Sequence, residues 1–365
     1  MSDEVHASGS DNRLPERLFA TDRFPINRIN VYSKPDTLTF LHDVLRDTPE
    51  FETILNSPFG RLFDIPAASA PISCKLIHSL LTIQVVTKKQ YEIWIVFGGQ
   101  PFRFCLPEFG QVTGLSCGEF PDDYAPDFQP PNEVVPDPYW RELIGNDPKT
   151  TLADIGYMLR TDKDMPSSRR LRLALLMIVD GVLVANTQVH KPTPRYVRML
   201  EDLDGFLTFP WGRESFLKTI ACMRPSRKVP GKVDNPVGEF RQLLLQFTFR
   251  MQGFPLALQL VAFQAIPALH LKLPKDSAYF TLLDWDGIKL RKNDSLSIRD
   301  VLDVEFGDNL LVHPLIEVQV PDVIGWGEWD DEIRDRKVTY LEDLVREGHS
   351  FSKSEWPGGD ASLPL

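Results

Sequence analysis

Apolar and polar positions alternate most clearly at 91–106. Tyr91, Ile93, Ile95 and Phe97 are interleaved with Glu92, Trp94 and Val96, the period-two pattern of a strand with two unlike faces. Gly98-Gly99 supplies the positive φ angles of a two-residue hairpin turn, and Phe102, Phe104 and Leu106 resume the alternation. Pro107-Glu108 then opens a helical turn that Gly114 closes. Elsewhere the period is helical. Leu38, Leu41 and Leu45 mark a helix behind the capping pair Asp36-Thr37, and Ile72, Leu76, Leu80 and Ile83 mark another over 71–83. Further helices are predicted at 151–160, 169–185, 193–203, 210–222, 235–251 and 255–269. Beyond Lys275 short extended segments mix with turns, and an acidic stretch ends in a helix.

The expected fold class is therefore mainly α (α+β), a helical domain with one antiparallel β-hairpin over 36–275. A polar, proline-punctuated leader (1–35) reads as disordered. A smaller mixed C-terminal extension (276–350) and a frayed tail (351–365) complete the expected organisation.

Composition narrows the function classes. With 365 residues, 42% of them hydrophobic, and 23 phenylalanines, the chain can bury a large core. The net charge of −11 argues against a general nucleic-acid coat but leaves room for a local basic site. The first residues contain no apolar run of the signal-peptide kind. The apolar stretches 171–185 and 254–271 are interrupted by Arg172 and Asp180, and by Gln259, Gln264, Pro267 and His270, so both read as core helices rather than membrane spans. Four scattered cysteines (Cys74, Cys105, Cys117 and Cys222) do not form a disulfide framework and suit a reducing compartment, nucleus or cytosol.

The string LPEFGQVTGLSCG at 106–118 resembles the signature of a plant domain of unknown function. That domain typically lies N-terminal to the Ulp-like cysteine peptidases of Mutator-like transposons. SSRRLRLALLMIVDGVLVA is similar to the family's long central helix, and Phe209 to Phe216 (FPWGRESF) to its FPWGR-x-SF block. Asn235-Pro236 with GFPLALQLVAFQAIPAL resembles its closing helices, so the likeness spans roughly residues 37–274. It implies plant origin, transposon ancestry and a nuclear setting, and no known catalytic residue within the domain. The peptidase module of longer relatives is not recognisable in this sequence.

Gln111-x5-Cys117-Gly118 has the spacing of the oxyanion-hole glutamine and nucleophilic cysteine of Ulp-like peptidases, with His42 and Asp64 upstream in a fitting order. No histidine is followed by the tryptophan those peptidases typically show, and the string is already accounted for by the helical domain. Cys74 and His78, four apart on a helix, lack two further ligands for a metal site. Glu201, Asp202 and Asp204 lack calcium-loop spacing and read as a solvated helix end. Asp180, inside an apolar helix, needs a polar partner, and Arg172 lies two turns earlier on nearly the same face. No phosphate loop, G-x-S-x-G or H-E-x-x-H motif is present. Arg224, Arg227, Lys228 and Lys232 form a basic loop free of acidic residues, fit for import machinery or phosphate contact, or for simple solvation. The sequence thus points to a non-catalytic nuclear interaction module with a protein partner, or nucleic acid through the basic loop, and no cofactor, metal or membrane. The enzyme alternative is a cysteine peptidase built on Cys117 and Gln111.

Overall fold

The computed structural model describes residues 10–20, 28–126, 138–274, 280–285, 290 and 296–361. After β1 (Glu16–Arg17) and β2 (Arg28–Val31), α1 (Asp36–Leu45) turns Leu38, Leu41 and Leu45 inward. α2 (Pro49–Leu55) starts where the Thr48 hydroxyl accepts from the Phe51 N–H, with proline pre-shaped for the first turn. Ser73 caps α3 (Cys74–Thr82) in the same way. Next come β3 (Val85–Val86) and the expected hairpin, β4 (Glu92–Phe97) against β5 (Gln100–Cys105), registered from Glu92 opposite Cys105 to Phe97 opposite Gln100. Gly98 and Gly99 sit at φ 59° and 91°, the left-handed pair that a tight hairpin turn demands. α4 (Leu106–Thr113) follows without a break.

The helical half then runs through α5 (Pro138–Leu143), α6 (Leu152–Thr161) and α7 (Ser167–Ile178), which continues as a π-helical turn over Val179–Leu183. α8 (Pro194–Met199), α9 (Leu203–Thr208), α10 (Trp211–Ala221) and α11 (Pro236–Leu245) come next. The helix expected to reach residue 251 stops at Leu245. β6 (Thr248–Met251) buries Phe249 and Met251, exposes Thr248 and Arg250, and pairs in parallel with β2. Four residues are too few for that alternation to stand out from the helical run before them. Pro267 divides the last expected core helix into α12 (Leu256–Ala265) and α13 (Pro267–His270). α14 (Ile298–Glu305) and α15 (Arg336–Arg346) follow, and then a short 3-10 turn over Lys353–Glu355. The fold is mainly α with small two-stranded sheets. No helix of the described residues is long and apolar enough to cross a membrane.

Both faces of the hairpin are buried, by different parts of the chain. Ile93, Ile95, Phe102 and Phe104 join the main core with α4, α10 and α12. Trp94 and Val96 on the other face meet Leu14, Val338 and Leu341 of α15, Phe351 and Trp356. The C-terminal extension packs against the helical domain: Leu296, Val301, Val312, Ile316 and Trp326 also enter the main core. Two expectations of disorder give way as well. Leu14, Leu18 and Phe19 of the leader are buried, and Ala20 N–H donates to Asp360 O while Asp360 N–H donates to Leu18 O, joining residues 10–20 to the tail. These anchors are isolated apolar residues in polar surroundings, so no period announced them. Residues 1–9, 21–27 and 362–365 lie outside the described residues.

Candidate interaction surface on the strap across the hairpin and α4

Residues 306–335 join α14 to α15 as a strap without regular structure. It crosses the hairpin, α4 and the start of α10. Arg103 N–H donates to Pro314 O at 3.0 Å, Gly327 N–H to Cys117 O at 3.2 Å, and Gln319 N–H to the Gln111 side-chain oxygen at 2.9 Å. Trp326 presses on Gly110, where a Cβ would lie 2.6 Å from the indole. Only glycine permits this approach. Trp329 stacks on Tyr91 while the Arg213 guanidinium sits 4.3 Å above the Trp329 ring. Arg213, from the FPWGR block, is buried and spends its donors on three carbonyls, those of Cys117, Gly118 and Gly325.

The acidic end of the strap meets main-chain donors and the basic loop. Glu332 accepts from Gln90 N–H (2.8 Å) and Tyr91 N–H (2.9 Å), and Asp335 from Lys88 N–H (2.7 Å). Asp331 accepts from the Tyr91 hydroxyl at 2.9 Å and pairs with Arg227 at 3.4 Å. Burial lowers the Arg224 guanidinium, and the neighbouring Glu332 charge works the other way. The four basic residues singled out in the sequence are thus divided. Arg224 and Arg227 face the chain's own carboxylates, while Lys228 and Lys232 stay exposed on a turn closed by Val229 and Val233.

The outer face of the strap is apolar and acidic. Half of the fourteen large apolar side chains exposed among the described residues fall in residues 306–333, with Val320 70% and Ile324 82% exposed. Such concentration marks an interaction surface better than scattered single residues do. Glu317, Asp322, Glu328 and Asp330 are exposed along the same segment. Beneath its middle, a cleft of about 560 Å³ opens between the strap (Val320, Val323, Trp326) and the end of α4 (Gln111, Gly114, Leu115).

The cysteine alternative fares differently. Cys117 is fully buried, with its sulfur wedged between Gly110 and Gly212 and its thiol donating to Leu115 O at 3.5 Å. Burial pushes the thiol well above its usual range, opposite to the shift a nucleophile needs. Gln111 is committed to Gln319, His42 packs against the Phe51 ring, and Asp64 pairs with Arg61, so the structure does not assemble these groups around the sulfur. The remaining candidates have structural partners. His78 Nε2 lies 3.0 Å from Leu244 O, and Asp202 caps α9 by accepting from Gly205 N–H. No group of three metal-type side chains occurs among the described residues. Asp180 bonds to the Thr193 N–H and hydroxyl (2.8 and 2.6 Å) rather than to Arg172, which donates to Leu200 O and Ser168 O. Burial raises Asp180 to about 7.

Sequence reasoning missed Trp326, Trp329 and Glu332, and held Arg213 only as a letter of the FPWGR block, without a role. One signal was available: in Gly325-Trp326-Gly327 a large ring is flanked by residues that let the backbone come close. Glu214 of the FPWGRESF block was likewise given no role. It is fully buried, accepts from the Tyr196 hydroxyl at 2.8 Å and lies 3.7 Å from the Lys218 ammonium.

No curated protein and no solved structure matches the chain. Residues 81–222, from the end of α3 through the hairpin to the end of α10, match the family model of a domain of unknown function, DUF1985, and the strap lies across this segment from outside it.

Proposed function

We propose that the protein is a non-catalytic protein-interaction module that presents the strap as its docking surface. One observation carries this: exposed aliphatic side chains are concentrated on 306–333, over a cleft of which one wall, the end of α4, belongs to the segment that matches the family model. The buried, proton-holding thiol of Cys117 supports a binding role over a hydrolytic one. Nucleic-acid contact through the basic loop has less support, because Arg224 and Arg227 already face Glu332 and Asp331. Descent from a plant transposon-encoded protein and residence in the nucleus belong to the same proposal, on the resemblance of the 106–118 and 209–216 strings. The test is a photo-crosslinking amino acid at Ile324, with Tyr157, an exposed residue elsewhere, as the control position. Discrete protein adducts from position 324 alone, lost on Val320→Asp, are expected. Equal or absent crosslinking at the two positions sinks the proposal.

A further inference from the structure

We infer that the cleft between the strap and α4 seats a basic segment of a partner protein, anchored by an apolar side chain; this rests on the interaction-module proposal above and names the chemistry of its partner. Shape comes first. A volume of about 560 Å³ lies within the range of sites that accept small ligands or large side chains, and its walls include Leu115, Val320, Val323 and Trp326. Val320 and Val323 line the cleft and are exposed beside it. An apolar anchor entering it removes both from water.

Charge then selects the class. Residues 306–335 contain eight acidic side chains and a single arginine. Three of the acids, Asp331, Glu332 and Asp335, are used internally on Arg227 and on the amides of Lys88, Gln90 and Tyr91. The others stay exposed, among them Glu317 and Asp322 on either side of Val320. Arg61, the basic residue in the cleft wall, is offset by Asp64 at 3.4 Å. Lysine or arginine flanking an apolar anchor meets complementary charge along the strap, whereas an acidic peptide or a nucleic acid meets repulsion there.

The experiment is a fluorescence-anisotropy titration of the full chain with synthetic probes. The probes are a Lys/Leu peptide patterned as an amphipathic helix, a Glu/Leu peptide with the same apolar positions, a Lys/Ser peptide with the same charge, and single-stranded DNA. The Lys/Leu peptide is expected to bind at least about tenfold more tightly than any other probe, a difference of about 1.4 kcal/mol. Val320→Asp with Val323→Asp, and separately Glu317→Lys with Asp322→Lys, should each weaken it by about tenfold or more. The folded circular-dichroism signal should not change, and Tyr157→Asp should have no effect. Binding of the Lys/Leu peptide that ignores both pairs of substitutions overturns the inference. If the Glu/Leu peptide or DNA binds as well or better, the basic class is wrong, and continued crosslinking at position 324 would leave the interaction module standing. If no probe binds, the inference fails; if crosslinking at 324 is also silent, the module proposal fails with it.

Discussion

The indole of Trp329 lies flat on the phenol ring of Tyr91, with centroids 4.0 Å apart and planes 13° from parallel. The first residue of the alternating run is thereby clamped to the end of the strap, and the Arg213 guanidinium lies over the same Trp329 ring at 4.3 Å. Trp329→Ala removes a large, half-buried ring from both contacts, and a loss of about 2–3 kcal/mol is expected, somewhat under the range for fully buried aromatics. A double-mutant cycle with Tyr91→Ala, read from urea unfolding, should return a coupling of about 1 kcal/mol. Additive losses would mean the two rings are neighbours without mutual stabilisation.

The sulfur of Cys117 should be shielded from reagents. Maleimide labelling followed by peptide mass spectrometry is expected to leave Cys117 unmodified in the folded chain and to modify it in denaturant. Cys117→Ser, which puts a hydroxyl into the slot between Gly110 and Gly212, should cost about 1–3 kcal/mol. Rapid native labelling would contradict the packed environment.

Asp180 makes stability depend on pH. Its folded-state value of about 7 lies above the ordinary 3.8, so the folded chain holds this proton more tightly than the unfolded one. The resulting contribution is fully present below about pH 4 and is lost as pH rises to about 7, by at most about 4 kcal/mol. Asp180→Asn keeps an acceptor for the Thr193 N–H and can donate to the Thr193 hydroxyl. The variant should match the parent near pH 4 and exceed it at pH 8 in urea midpoint. Parallel pH profiles for the two proteins would rule out this titration.

Glu332 satisfies two consecutive backbone N–H groups, those of Gln90 and Tyr91. Glu332→Ala should cost about 1–3 kcal/mol and speed hydrogen exchange at those two amides. Neutralising the exposed Lys228 and Lys232 should change stability by less than about 0.5 kcal/mol. Unchanged exchange at Gln90 and Tyr91 would show that the acidic end of the strap is dispensable to the hairpin.

What could be read in advance was local. The hairpin, its glycine turn and α4 followed from residues within a 24-residue window, where period and turn chemistry act on neighbours. The β2–β6 pair escaped because Arg28–Val31 finds its partner at Thr248–Met251, across most of the chain. The leader and tail escaped because single anchors such as Phe19 and Trp356 have no repeat to betray them. For the candidate surface, the basic loop was visible as charge. Its match to Asp331 and Glu332 was not, since that depends on where an irregular segment is laid.

The burial of Trp94 and Val96 also has a meaning in time. Of the residues that cover the hairpin's second face, Leu14 and Val85 precede it, but Val338, Leu341, Phe351 and Trp356 are made roughly 240 residues later. At ordinary synthesis rates that interval is roughly 12–50 s. Throughout it, a strand pair with one apolar face uncovered stands on the nascent chain. Whatever shields that face during synthesis must then yield it to α15, so a segment made long after the hairpin decides whether its second face is ever covered.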